Sequence, residues 1–84
     1  MSSIYVELKA KNTPRVVDGS MKSGNTYIIY VNENFDSKNR NNLNSLVDEL
    51  NHQLGKEGIE KVEMRKIERE LNRLEIGKRI DIRI

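Results

Sequence analysis

Near the start of the chain Ile4, Val6, Leu8 and Ala10 alternate with Tyr5, Glu7, Lys9 and Lys11. A period of two marks a β-strand with one apolar and one wet face, so the spacing predicts a strand here. Thr26-Tyr27-Ile28-Ile29-Tyr30-Val31-Asn32 is β-branched and aromatic, with apolar residues on both parities. That composition predicts a central strand, covered on both sides or flanked by neighbours. Between the two, Asn12-Thr13-Pro14, Asp18-Gly19 and Ser23-Gly24-Asn25 read as turns. Arg15-Val16-Val17 leaves room for only a brief extra pairing. The simplest reading is a long hairpin over residues 4–32.

The period then changes. Leu43, Leu46, Val47, Leu50 and Leu54 fall on one stripe at helical spacing. A helix over about 37–54 is expected, capped by Asp36 or Ser37, with Phe35 packing back over its first turn and Gly55 in a left-handed stop. Met64, Ile67, Leu71 and Leu74 make a second seam among strong helix formers, ended by Gly77. This predicts a helix over about 59–75, although Val62 lies off the seam and a short strand over 59–64 is the alternative. Ile80, Ile82 and Ile84 alternate with Arg79, Asp81 and Arg83, an amphipathic strand over 78–84.

The expected class is therefore α+β in the order β-β-α-α-β. A small three-stranded antiparallel sheet would carry two helices packed on one face, as a single domain over residues 1–84.

Composition narrows the chemistry. The chain has 84 residues and no cysteine, too few for a second core and with no thiol for a disulfide or a zinc ribbon. Neither a basic-then-apolar leader nor a run of roughly 20 apolar residues is present, so a cytoplasmic setting without a membrane span is expected. The net charge of +2 is unevenly placed. Residues 1–55 are neutral and rich in asparagine, whereas 56–84 carry nine basic and seven acidic groups. Dense charge of both signs usually marks a solvated helix face.

Three short motifs suggest chemistry and fall short of it. Gly19-Ser20-Met21-Lys22-Ser23-Gly24 has the glycine spacing of a phosphate loop, but Asn25-Thr26 replace the Lys-Ser/Thr pair and a strand follows instead of a helix. Asn32 to Asp36 alternates oxygen donors without the glycine bend or closing glutamate of a calcium loop. Asp48 and His52 are one helical turn apart and lack a third ligand or a nucleophile. No catalytic, metal or cofactor residue is assigned, and a non-enzymatic protein is expected.

Two surfaces remain. Lys61, Arg65, Arg69 and Arg73 recur every four residues and form a slowly winding basic ridge, an alternative nucleic-acid site that Lys78, Arg79 and Arg83 would extend. Glu63, Glu68, Glu70 and Glu75 are interleaved with it, close enough to pair as Glu63–Lys66, Lys66–Glu70 and Glu70–Arg73. With helices on one side only, the other sheet face should present Tyr5 and one of Tyr27 or Tyr30, ringed by Glu7, Lys9, Arg79 and Arg83. Tyrosine and arginine are favoured in protein interfaces. The leading expectation is a small adaptor, accessory or inhibitor that binds a protein partner through Tyr5, Tyr27, Tyr30, Arg79 and Arg83. A phage or mobile-element inhibitor would fit that size, and self-association through the Arg79–Ile84 edge is a related expectation.

Overall fold

A computed structural model of the chain describes residues 3–59 and 64–83. The elements are β1 (Ser3–Ala10), β2 (Val17–Ser23), β3 (Thr26–Val31), α1 (Arg40–Gly55), α2 (Met64–Leu71) and β4 (Arg79–Arg83). The α+β class holds, with two helices. The sheet differs from expectation: it has four strands in the order β2-β3-β1-β4 and is mixed, not three-stranded and antiparallel.

The correction comes from β2. Residues 4–10 and 26–31 are not the arms of one hairpin, because β1 and β3 run parallel, with Val6 opposite Tyr27 and Leu8 opposite Ile29. The hairpin joins β2 to β3 through the two-residue turn Gly24-Asn25. Gly24 has φ +63°, the positive value that a tight hairpin turn needs at its first central residue and that a side chain resists. The chain therefore leaves β1, crosses to the far edge as β2, and returns as β3 in the space between. β4 closes the other edge antiparallel to β1, with Ile82 opposite Ile4 and Ile80 opposite Val6. β3 is interior as its two-sided pattern requires, and β1 is interior as well.

All the fully covered strand positions lie on one side of this sheet. Ile4, Val6, Leu8, Tyr27, Ile29, Val31 and Ile82 are buried there against Leu46, Leu50 and Leu54 of α1 and Met64, Ile67 and Leu71 of α2. α1 lies over β2 and β3, and α2 lies beside α1 and against β4. The apolar stripes read from the two helices are thus the surfaces that cover the sheet.

The helix ends depart from expectation in detail. α1 starts at Arg40, not near 37, because Asn39 is its cap and accepts from the backbone N–H groups of Asn41 (3.0 Å) and Asn42 (3.2 Å). Asp36 instead accepts from Lys38 N–H in the preceding turn, and Ser37 is buried, donating to the carbonyl of Asn72 at 3.0 Å. The left-handed residue after α1 is Gly58, with φ +78°, and not Gly55. Ile59 N–H then reaches back to the Leu54 carbonyl. α2 stops at Leu71; Arg73 and Leu74 continue as tight turns that keep Leu74 in the core. The helix-or-strand question over 59–64 lies largely outside the described residues, as does Ile84 at the end of the predicted 78–84 strand.

Candidate interaction face

Strand alternation sends every second residue to the side that the helices leave uncovered. β1 contributes Tyr5, Glu7 and Lys9, β3 contributes Thr26, Ile28 and Tyr30, and β4 contributes Arg79, Asp81 and Arg83. Register arranges them in rows. Met21, Ile28, Glu7 and Arg79 lie side by side across all four strands, and Ser23, Thr26, Tyr5 and Asp81 form the next row. Tyr5, Ile28 and Tyr30 are half-buried, sheltered by neighbours on the same face. Met21 is 44% exposed, the one large hydrophobic so open among the described residues.

Cations lean on the aromatic rings. The Arg79 guanidinium stands 4.6 Å from the centre of the Tyr5 ring, and Lys11 Nζ stands 5.6 Å from that of Tyr30. A cation within about 6 Å of a ring is attracted by its quadrupole. The Tyr30 hydroxyl also donates to Met21 Sδ at 3.1 Å. Lys11 carries a second partner, the Asp18 carboxylate at 2.8 Å. The Lys11 hydrogen bond holds the Asp18 carboxyl below its ordinary value, with burial opposing and the charges of Lys11 and Arg15 assisting. The result is a face on which Tyr5, Ile28 and Tyr30 share the two interior strands with Glu7 and Lys9, Met21 stands on the β2 edge, and Arg79, Asp81 and Arg83 stand on the β4 edge. Tyrosine, methionine and arginine together on an uncovered face are side chains enriched in protein interfaces.

Of the five residues assigned to this face from sequence, the structure brings Tyr5, Tyr30, Arg79 and Arg83 to it. Tyr27 is corrected: it is 1% exposed and lies in the core, because its register partner Val6 faces the helices. Its ring is approached by Lys22, whose amine also pairs with Glu57 beyond α1. Residues 17–23 form the edge strand β2 of the same sheet and flank this face. Met21 does not follow from the sequence pattern, because no apolar alternation marks its segment as a strand.

The basic ridge is divided. Arg65 and Arg69 are exposed on α2, Arg73 follows in the next turn, and Lys61 lies outside the described residues. Arg79 and Arg83 point to the open sheet face, away from the helix layer that carries α2, so they do not extend the ridge. Among the described residues the Lys66–Glu70 and Glu70–Arg73 ion pairs are not made, and Lys78 pairs with Glu75 at 3.2 Å.

The remaining motifs serve the fold. Gly19 and Ser20 belong to an irregularity in β2, and Ser20 donates to Glu49 at 2.8 Å and to Gln53 at 3.3 Å on α1. Asn32 accepts from Asn34 N–H in a turn. Asp48 and His52 both lie on α1 and both are exposed. Among the described residues no three His, Cys, Asp or Glu side chains converge as a metal site, and no helix is long and apolar enough to cross a membrane. No family model matches the chain, and no curated protein or solved structure matches it either.

Proposed function

We propose that this chain is a small non-enzymatic binding module, an adaptor or inhibitor that acts by covering a partner protein's surface with its open sheet face. The observation that supports this reading is the one-sided layering: both helices cover the aliphatic side, while Tyr5, Ile28 and Tyr30 of the interior strands and Met21 of the β2 edge lie on the other. Tyrosine gives large contact area at small entropic cost, and Arg79 is already held against Tyr5 by stacking. The mixed charges of Lys9, Glu7, Asp81 and Arg83 on this face favour a partner surface of both charges over a uniform polyanion.

The test is affinity capture from lysate, with and without nuclease treatment, using two variants of matched severity. Met21→Glu with Tyr30→Ala should remove the retained protein, and Arg65→Glu with Arg69→Glu should leave it. Retention by the first variant and loss by the second would overturn this reading. It would favour the second one, a nucleic-acid or acidic partner on α2, which the exposure of Arg65 and Arg69 supports. That second reading predicts binding that weakens steeply as salt rises.

A further inference from the structure

The two edges of the sheet are built differently. β2 is interrupted between Val17 and Ser20, and its Ser20 and Lys22 side chains are tied to Glu49, Gln53 and Glu57 on the helix side. Such an irregular, anchored strand is a poor template for another chain. β4 is regular from Arg79 to Arg83 and pairs with β1 alone. Among the described residues its outward backbone groups have no partner.

The sequence of β4 selects among the ways a second strand can add. Two antiparallel copies centred on Asp81 would oppose Asp81 to Asp81 and Arg79 to Arg83, setting like charges across the ladder. Centring on Ile80 opposes Arg79 to the second copy's Asp81, and Asp81 to the second copy's Arg79. Both charge pairs are then complementary, and Ile80 meets Ile80. Centring on Ile82 also gives complementary charges, Asp81 against Arg83. Ile82, however, is already 3% exposed and gains nothing by further cover, whereas Ile80 is half-buried at the edge. We propose that β4 pairs antiparallel with β4 of a second copy of this chain, centred on Ile80. The product is a continuous eight-stranded sheet whose two open faces lie on the same side.

Sedimentation of the full chain across a concentration series tests this. The natural chain should shift from 9.8 kDa toward twice that mass as concentration rises. Asp81→Arg and Arg79→Asp should each weaken association about tenfold or more, since each turns two opposite-charge pairs into like-charge pairs. Mixing the two variants should restore the dimer, because one strand then carries arginine at both positions and its partner carries aspartate at both. A chain that stays monomeric throughout would overturn the proposal. So would an Arg79→Asp variant that dimerises like the natural chain, the outcome expected of pairing centred on Ile82. Arg79→Asp also places a carboxylate opposite Glu7 of its own sheet, so hydrogen exchange on the natural chain provides a second measurement. Amides of residues 79–83 should become more protected as concentration rises, and unchanged exchange there would contradict the pairing. A monomeric chain that still captures a partner would defeat this inference and leave the open-face reading standing.

Discussion

The two faces of the sheet share strands, register and twist, yet they are different surfaces. In β1 the residues facing the helices are Ile4, Val6 and Leu8, and those facing away are Tyr5, Glu7 and Lys9. One side is aliphatic and sealed. The other is aromatic and charged, and its side chains shelter one another without being covered by a layer. On the proposed reading the difference separates two jobs: the helix side sets stability, and the open side is left for recognition. Substitutions on the two sides should therefore have opposite profiles.

The largest effect is expected on the sealed side. Leu8→Ala or Leu50→Ala, both at positions with 0% exposure, should cost about 2–5 kcal/mol, the usual range for emptying a packed leucine site. In a domain this small that is a large part of the total stability. Denaturant melts read it directly, and a loss below about 1 kcal/mol would mean that this layer is not the core.

Ser20→Ala probes the boundary between the sides, since it removes the hydroxyl that Glu49 and Gln53 accept from. A loss of about 1 kcal/mol is expected, as for a typical part-buried hydrogen bond. Arg79→Ala on the open side removes the stack on Tyr5 and should cost about 0.5–1 kcal/mol at an exposed site. A cost above about 2 kcal/mol would show that the open face is structural after all.

The smallest effect is a pH response. The carboxyl of Asp18 is held below its ordinary value of 3.8 chiefly by the Lys11 hydrogen bond. A lowered native value means that the contribution is fully present above the unfolded value and is lost as pH falls through the native one. Carbon-detected titration of Asp18 should therefore give a midpoint below 3.8, and Lys11→Ala should raise it. A midpoint unchanged by that substitution would remove the clasp between β2 and the loop after β1.

Much of this architecture could be read from side-chain spacing. The period-two runs at 4–10 and 79–83 and the stripe from Leu43 to Leu54 bury Ile4, Val6, Leu8, Ile82, Leu46, Leu50 and Leu54 as their periods predict. They pack Leu43, Val47 and Ile80 partly against that core, whereas Ala10 at the end of β1 is exposed. β2 was hidden for a physical reason. Its helix-facing positions Ser20 and Lys22 are polar and satisfied by Glu49, Gln53 and Glu57, so no apolar alternation marked the strand. The two-residue turn Gly24-Asn25 was the available signal. Tyr27 and Tyr30 could not be sorted from sequence, because β3 is apolar on both parities. Only its parallel register with β1 decides which ring enters the core. The candidate site was legible to the extent that alternation was: Tyr5, Arg79 and Arg83 followed from it, and Met21 did not.

Tyrosine nitration of the chain bound to a captured partner tests the central claim most directly, because Tyr27, at 1% exposure, is a built-in reference. In the free chain Tyr5 and Tyr30 should react and Tyr27 should not. On binding, Tyr5 and Tyr30 should become protected, while arginine-directed labelling of Arg65 and Arg69 stays unchanged. Tyr5 and Tyr30 reacting equally in the free and bound chain, with Arg65 and Arg69 protected instead, would contradict the account.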